Sequence, residues 1–156
     1  MYHAPGSRIR GAMIQRAVMV KRTTKQKIML FDGVCNFCSG GVLFSVKRLK
    51  DADVKFCPMQ SPAGQRMLKR LGFPTTDYQT FIYVENGQTF TKSRAAVRLS
   101  RSLKAPWPFW GRVLDAFPTP LADRFYDLIA RHRYKLMGKK DACMAPDEDV
   151  RERFIL

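Results

Sequence analysis

The sequence predicts an α/β protein built on a four-stranded mixed sheet with helices on its faces. Two observations support this prediction: short apolar runs alternate with helical repeats, and an Asn-Gly pair separates two strand-like segments. The chain has 156 residues, which is enough for one domain with its own hydrophobic core. The expected order of elements is βαβαββα, followed by a C-terminal helical extension.

The first strand and helix flank a Cys-x-x-Cys sequence. Residues 28–31 form a short apolar run typical of a buried strand, and Asp32-Gly33 interrupts this run as a turn does. Cys35 and Cys38 follow. Apolar residues then recur at helical spacing, at Val42, Leu43, Val46 and Leu49. This stretch therefore predicts a strand, a tight turn, the cysteine pair and a helix.

The second strand and second helix follow from equally local signals. Residues 54–57 form a short strand in which Cys57 points to the opposite face from Phe56. Ser61 is a typical helix cap and is followed by proline at the first helical position. Gly72 is expected to end that helix.

A β-hairpin and a third helix complete the predicted core. Residues 80–85 are rich in β-branched and aromatic side chains, and Asn86-Gly87 predicts a tight turn to a partner strand at residues 89–91. Ser93 is expected to cap the third helix. Strands joined through a helix are expected to be parallel and hairpin strands antiparallel. This combination is the minimal thioredoxin-like architecture.

The C-terminal region predicts two further helices delimited by prolines, at residues 109–117 and 121–137. The apolar face of the longer helix is formed by Leu121, Phe125, Leu128, Ile129 and Leu136. Its basic residues are Arg124, Arg131, Arg133 and Lys135. We expect the apolar face to pack on the core while the basic face lies in water. The alternative is an amphipathic helix that binds a membrane surface or a partner.

Composition and charge divide the chain into three parts. We expect a basic, flexible N-terminal tail at residues 1–26, a thioredoxin-like core at residues 27–104, and a C-terminal helical extension at residues 105–156 packed on that core. The chain holds 28 Lys and Arg against 13 Asp and Glu, a formal charge of +15. Such an excess favours weak contact with polyanions or anionic membranes. No nucleic-acid-binding module is recognisable, so no specific nucleic acid is predicted.

The sequence also predicts where the protein works. It contains no apolar run of the roughly 18 to 20 residues needed to span a bilayer, and its start lacks the apolar segment of a secretory signal. The expected location is therefore the cytoplasm. In that reducing compartment, paired thiols are more often catalytic than structural.

The cysteine pair is the candidate reactive site. The N–H groups at a helix start lack partners and carry a partial positive charge, which stabilises a thiolate. Cys35, nearer the helix start, is the expected attacking thiolate, and Cys38, one turn on, is the expected resolving thiol. Two alternatives stay open: half of a zinc site completed by Cys57 or Cys143, and a pair of inert core thiols.

Asp32 is a further candidate catalytic residue and lies three positions before Cys35. One role for its carboxylate is that of a general base, which accepts the proton of the resolving thiol through water. The other role is structural, in which the carboxylate accepts N–H groups of residues 33–35 and shapes the turn. We favour the turn-shaping role.

These residues carry a resemblance to a known family. The run LFDGVCNFC is similar to the Asp-x-x-Cys-x-x-Cys signature of the DCC family of predicted thiol-disulfide oxidoreductases, here Asp32, Cys35 and Cys38. Two later stretches also resemble blocks of that family, TKSRAAV at residues 91–97 and YDLIARHRYKLMGKKDAC at residues 126–143. The likeness extends over residues 27–156, nearly everything except the predicted tail.

The resemblance implies a thioredoxin-like fold and exchange of the Cys35/Cys38 dithiol with a disulfide-containing protein or a small-thiol substrate. It implies no metal and no organic cofactor, since another dithiol would donate the electrons. Cys143 matches a cysteine of the family, which leaves open a second disulfide with Cys57 or a relay role. Cys57 lies outside the family pattern and is expected to be a core thiol. The alternative functions are a structural or metal-binding module and a basic membrane- or nucleic-acid-associated interaction protein.

Overall fold

The computed structural model describes residues 26–50 and 53–156. The strands are β1 (Lys27–Phe31), β2 (Val54–Pro58), β3 (Ile82–Glu85) and β4 (Gln88–Thr91). The helices are α1 (Asn36–Val46), α2 (Pro62–Leu71), α3 (Lys92–Ser100), α4 (Trp107–Ala116), α5 (Thr119–Met137) and α6 (Glu148–Arg151). The predicted N-terminal tail lies outside the described residues except for Gln26.

The four strands form one mixed sheet in the order β2-β1-β3-β4. Strands β1 and β2 are parallel, with Met29 opposite Phe56, and β3 is antiparallel to both β1 and β4. The predicted βαβαββα order and the directions of the strand pairs are therefore confirmed, and the architecture is consistent with a thioredoxin-like fold. Because α1 follows the central strand β1, the cysteine pair lies at the carboxyl end of that strand.

Alternation along the strands builds a hydrophobic core on each face of the sheet. One core contains Phe31, Phe56 and Tyr83 together with residues of α1 and α3. The other contains Leu30 and Cys57 together with residues of α2. Cys57 thus lies on the opposite face from Phe56, as predicted. Fully burying one large apolar side chain contributes roughly 1.5–3 kcal/mol, so the central strand is held firmly from both sides.

The predicted signals at α2 and at the hairpin are confirmed. The Ser61 hydroxyl accepts the N–H of Gly64 at 3.0 Å and caps α2, which ends at Gly72 in the left-handed conformation with φ of 75°. Asn86 and Gly87 both have positive φ, 51° and 75°, as a tight hairpin turn requires.

The predicted cap of α3 is wrong by two residues. The helix begins at Lys92, and Thr91 precedes it without a side-chain cap hydrogen bond. Ser93 lies inside the helix, where its hydroxyl donates to Asp123 of α5 at 2.5 Å. This serine therefore joins two helices that are distant in sequence, and a local pattern cannot distinguish that role from capping.

Helix α5 packs on the core through a face that the sequence did not predict. Of the five side chains expected to face inward, Ile129 is partly buried, whereas Leu121, Phe125, Leu128 and Leu136 are each more than half exposed. Arg133, expected on the solvated basic face, is buried with 5% of its surface exposed. Tyr126 packs edge-on against Phe81 at 5.5 Å between ring centroids. The predicted orientation of this helix is therefore wrong.

Polar contacts on the inward face explain the orientation of α5. Asp123 accepts the hydroxyl of Ser93, and Asp127 forms an ion pair with Lys92 at 2.9 Å. These contacts attach α5 to α3. A helix whose outer face is apolar is unusual in a water-soluble fold, because packing normally turns that face inward.

The C-terminal residues complete the sheet side of the core. Phe154 packs against Phe31 and Phe56, at 6.2 Å and 5.9 Å between ring centroids. The backbone of Phe56 donates to Arg153 and accepts from Ile155, each at 2.8 Å, so the chain end runs alongside β2. In the described ranges, no helix combines the length and the apolar character that a bilayer crossing would need.

Candidate functional site

Cys35 and Cys38 lie in the first turn of α1, where the helix leaves the sheet. Cys35 is the N-cap residue and has an extended backbone. Its sulfur accepts the backbone N–H of Cys38 at an N···S distance of 3.3 Å. One of the N–H groups left without a partner at a helix start is thus directed at a sulfur atom. Such a donor binds an ionised acceptor more strongly than a neutral one.

The two cysteines differ in exposure. Cys35 is fully buried, whereas Cys38 is half-buried, and all four cysteines of the chain are free thiols. The sequence predicted Cys35, nearer the helix start, as the attacking thiolate, for which a substrate must reach its sulfur. In the structure, solvent reaches Cys38 instead.

A segment after α5 covers Cys35. Residues 138–140 run antiparallel to residues 34–36, and Cys35 forms a bridge with Lys139. The N–H of Lys140 donates to the carbonyl of Val34 at 2.7 Å. The amide side chain of Asn36 donates to the carbonyl of Met137 at 2.8 Å. This cover joins residues about a hundred positions apart, so the sequence around Cys35 gave no sign of it.

Asp32 is buried, and both of its carboxylate oxygens are occupied. Oδ1 accepts the N–H of Val34 at 3.1 Å and the amide of Gln60 at 2.6 Å. Oδ2 accepts the hydroxyl of Tyr134 and faces the guanidinium of Arg133 at 3.5 Å. A carboxylate has about four lone-pair sites, so these four donors leave little acceptor capacity for a proton from a thiol.

Arg133 connects Asp32 to the cysteine pair. One terminal nitrogen lies 3.6 Å from the sulfur of Cys38. The other faces Asp32 and also donates to the backbone carbonyl of Tyr78. Among the residues that the structure describes, the remaining nitrogen, Nε, has no hydrogen-bond partner. A buried guanidinium is thus held between a carboxylate and a sulfur, which places a fixed positive charge beside Cys38.

The environment of Cys38 acts on its ionisation in opposite directions. Burial and the hydrogen bond shared with the Cys35 side chain raise the pKa of the Cys38 thiol well above its ordinary value, while the charge of Arg133 lowers it. The net direction is upward. Cys38 therefore stays protonated until a change in its surroundings removes one of the raising effects.

Tyr134 and Gln60 complete the polar cluster around Asp32. Burial and the hydrogen bond to Asp32 raise the pKa of Tyr134 to about 12, so its hydroxyl remains a donor at neutral pH. The Gln60 side chain bridges the turn, because it donates to Asp32 and accepts the N–H of Gly33 at 2.9 Å. Asp32, Gln60, Arg133 and Tyr134 thus fix the loop that leads to Cys35.

The other two cysteines occupy different surroundings. Cys57 is buried in the core beside α2, and burial raises the pKa of its thiol. Cys143 is exposed and lies against the turn, so close that a Cβ added to Gly33 would stand 2.5 Å from its sulfur. It also lines a cleft of about 320 Å³ with Gln60 and Arg151. Within the two described ranges, no three His, Cys, Asp or Glu side chains cluster as metal ligands would.

The sequence prediction missed Arg133, Tyr134 and Gln60. Arg133 and Tyr134 follow Tyr126 and Ala130 at helical spacing, which is a stripe that would have indicated a common face. Arginine on an otherwise basic helix gave no reason to expect burial. Gln60 lies in the loop after β2 and gave no signal at all.

Known proteins resemble this chain over most of its length. The chain matches the family model of DCC1-like thiol-disulfide oxidoreductases over residues 29–139. It is 41% identical over 137 residues to "Uncharacterized protein YuxK" of Bacillus subtilis (strain 168), covering 88% of this chain and 99% of that protein. It is 35% identical over 119 residues to "DCC family protein At1g52590, chloroplastic" of Arabidopsis thaliana, covering 76% and 69%. No solved structure matches the chain.

Proposed function

Because this chain belongs to the DCC1-like thiol-disulfide oxidoreductase family, we propose that it is an enzyme that exchanges its Cys35/Cys38 dithiol with the disulfide of a protein or small-thiol substrate. The observation that carries the proposal is the surroundings of the two sulfurs. One accepts a helix N–H, and the other lies beside a buried guanidinium. Both features favour sulfur anions over neutral thiols.

The exchange needs two displacement steps. A thiolate of the pair attacks one sulfur of the substrate disulfide, a mixed disulfide forms, and the other substrate sulfur leaves as a thiolate and takes up a proton. The second cysteine then attacks the mixed disulfide, which closes the Cys35–Cys38 disulfide and releases the second substrate thiol. Two electrons and two protons pass to the substrate. A separate dithiol donor restores the reduced pair, and the reverse sequence oxidises a substrate dithiol.

We assign the first attack to Cys35 and the resolving step to Cys38. The backbone N–H and the side chain of Cys38 both bind the sulfur of Cys35, and these donors support an anion there. The raised pKa of Cys38 keeps that thiol protonated during the first step. Because Cys35 is buried, its surroundings must rearrange before a substrate sulfur reaches it, and residues 138–140, paired with the backbone around Cys35, are the segment that we expect to move.

Asp32 and Arg133 act as positioning residues in this scheme. Asp32 is fully engaged by donors, so we assign it to holding the turn and the guanidinium rather than to proton transfer. When Cys35 enters the mixed disulfide, it no longer raises the pKa of Cys38. Arg133 then remains beside Cys38 and favours the thiolate that the second step requires.

The order of attack is testable with a small disulfide. The full-length protein carrying Cys57→Ala and Cys143→Ala is the background, so that only the pair reacts. Dithiodipyridine is added, the released thiopyridone is followed by absorbance, and adducts are located by mass spectrometry. Cys38→Ser should form a stable adduct at Cys35 at close to the background rate, whereas Cys35→Ser should react at least tenfold more slowly.

Other outcomes would count against the assignment. A fast, stable adduct at Cys38 in the Cys35→Ser variant would reverse the roles of the two cysteines. Equal rates in the background and in the variant lacking both cysteines would reject the exchange itself. Stoichiometric zinc that is lost with either cysteine would favour the metal-binding alternative, so the metal content is measured on the same preparations.

We place this chemistry in the cytoplasm, where a reducing environment keeps exposed thiols such as Cys143 free. The proposed partners are a disulfide-bearing substrate and a dithiol donor. The formal charge of +15 also supports weak contact with polyanions or anionic membranes. Binding of this second kind should weaken steadily with salt, because exposed charges are screened.

A further inference from the structure

The outward face of α5 is an exposed apolar surface that the proposed chemistry leaves unexplained. Four side chains on this face are between 53% and 73% exposed, namely Leu121, Phe125, Leu128 and Leu136. At 100° per residue they lie within about 80° of the helix circumference. They form one stripe, which we call the apolar track, and the exposed His132 lies on the same arc between Leu128 and Leu136. A cluster of exposed apolar side chains of this kind marks an interaction site more often than a random surface does.

The apolar track ends in the last turn of α5, and the end of that helix meets the loop of the cysteine pair. Met137, at the end of α5, is 56% exposed, and its carbonyl accepts the side-chain amide of Asn36. Phe37, the next residue and one of the two between the cysteines, is 48% exposed. From Leu121 to Leu136 the track is about 22 Å long at 1.5 Å per residue. On the inner side of the same helix, Arg133 contacts Cys38.

The charges that α5 itself places beside the apolar track all have one sign. Arg124, Arg131 and Lys135 are exposed along one flank of it. Both acidic residues of α5 lie on the inward side, where Asp123 binds Ser93 and Asp127 binds Lys92. The outward face of α5 therefore offers apolar contact and positive charge, with no carboxylate of its own.

We infer that this face binds the polypeptide substrate, and that the substrate is a protein segment with apolar and acidic side chains next to its disulfide. The inference rests on the proposed function, and it adds the substrate class. Because the end of α5 contacts Asn36, between the two cysteines, the position of the track favours a substrate that itself carries a disulfide, which a lipid surface does not. A second copy of the chain fits poorly, because the cations of the two faces would meet with no carboxylate between them.

Rates with matched disulfides test the inference. Three probes are reduced by the full-length protein carrying Cys57→Ala and Cys143→Ala. The first is a peptide closed by an internal disulfide and followed by Leu, Phe and Glu residues. The second has Lys in place of Glu, and the third is dithiodipyridine. The acidic apolar peptide should react about tenfold faster than the basic one. Dithiodipyridine is too small to span the track and reports on the cysteines alone.

Matched variants separate docking from chemistry. Phe125→Ser removes one aromatic side chain from the track. Phe109→Ser is the control, since Phe109 is similarly exposed on α4, whose Trp107 packs on Phe44 at the far end of α1 from the cysteines. Phe125→Ser should lower the rate with the acidic apolar peptide about tenfold and leave the dithiodipyridine rate unchanged. Phe109→Ser should change neither rate.

A second matched pair tests the charge. Arg131→Glu, on the flank of the track, should lower the rate with the acidic peptide and raise it with the basic one. Arg112→Glu, exposed on α4, should do neither. Both effects should weaken with salt.

Several results would overturn the inference while the proposed function stands. Peptide rates unaffected by Phe125→Ser would do so. So would a dimer, seen by analytical ultracentrifugation, that Phe125→Ser dissociates. A third such result concerns membranes. If the protein sedimented with phosphatidylglycerol vesicles, and Phe125→Ser but not Phe109→Ser abolished this binding while peptide rates stayed unchanged, the face would be assigned to a membrane. Failure of the background protein to reduce any of the three disulfides would overturn the proposed function, and this inference with it.

Discussion

The guanidinium of Arg133 lies 3.6 Å from the sulfur of Cys38, and the same group faces the carboxylate of Asp32 at 3.5 Å. Arg133 and Asp32 are 5% and 2% exposed, so this ion pair is almost entirely removed from water. Two buried charges persist only when each compensates the other. Arg133, whose charge lowers the pKa of Cys38, is therefore held in place by Asp32, which lies three positions before Cys35. Arg133 couples the electrostatics of the pair to the shape of the turn.

Replacing Arg133 by methionine should therefore affect both stability and reactivity. The variant leaves Asp32 charged and unpaired, which typically costs about 3 to 5 kcal/mol in the free energy of unfolding. It also removes the charge that lowers the pKa of Cys38, so alkylation of Cys38 should require a higher pH. Urea unfolding and iodoacetamide rates against pH measure the two effects.

The neighbouring Arg131 provides the control for this experiment. It is exposed on the same helix, so Arg131→Met should change the free energy of unfolding by no more than about 0.5 kcal/mol. Arg133→Lys keeps the charge but loses the planar guanidinium. Its free energy of unfolding should therefore lie between those of Arg133→Met and Arg131→Met. Indistinguishable behaviour of Arg133→Met and Arg131→Met would show that the buried pair contributes nothing.

Asp32→Asn distinguishes the two roles considered for this residue. The uncharged amide leaves Arg133 without its counter-charge, so we expect a loss of about 3 kcal/mol or more in the free energy of unfolding. If Asp32 positions the turn, the folded variant should react with dithiodipyridine at a near-normal rate. A folded variant with a much reduced rate would instead support proton transfer through Asp32.

A double-mutant cycle tests whether Asp32 and Arg133 act as a pair. When both are replaced, in Asp32→Asn with Arg133→Met, no buried charge remains unpaired. The double variant should therefore be more stable than the sum of the single losses predicts, with a coupling of about 1 to 3 kcal/mol. Strictly additive losses would contradict the pairing.

Local signals predicted most of the fold. Ser61, Gly72 and the Asn86-Gly87 turn each act through hydrogen bonds within four residues, so a short window of sequence contains everything that determines them. The cysteine pair and its helix belong to the same class. For this reason, the sequence alone predicts the order and direction of the strands.

The surroundings of the cysteine pair could not be predicted in the same way. Arg133 is about a hundred residues from its partner Asp32, and the sequence near either residue gives no sign of the other. The segment that covers Cys35 poses the same difficulty. The apolar residues of α5 misled the prediction, because apolar side chains are assigned inward by default and these lie on the outward face. The surroundings of the cysteine pair and the orientation of α5 both depend on contacts between residues far apart in the sequence.

The contact between Gly33 and Cys143 gives a prediction about the turn. A Cβ at Gly33 would stand 2.5 Å from the Cys143 sulfur and 3.2 Å from both the Gln60 amide oxygen and Pro58 Cβ. Gly33→Ala should therefore lower the free energy of unfolding by about 1 to 3 kcal/mol. Adding Cys143→Ala removes the shortest contact and should restore part of the loss. An equal loss with and without Cys143 would mean that Gln60 and Pro58 cause it.

Tyr134→Phe gives a prediction that depends on pH. The hydroxyl of Tyr134 donates to Asp32, so its removal should lower the free energy of unfolding by about 1.5 to 3 kcal/mol near neutral pH. Burial and the hydrogen bond to Asp32 raise the pKa of Tyr134 from 10.0 to about 12. Between these values the unfolded chain releases the proton while the folded chain retains it, so the stability due to this group falls as pH rises.

The measurement compares urea unfolding midpoints of the two proteins across the pH scale. The difference between wild type and Tyr134→Phe should be constant below about pH 9 and should narrow as pH approaches about 12. Other groups with raised pKa values, such as Cys57 and Tyr126, titrate in both proteins and cancel in the difference. If the difference in unfolding midpoint stayed constant through this range, the pKa of Tyr134 would not be raised in the folded protein, which would contradict its hydrogen bond to Asp32.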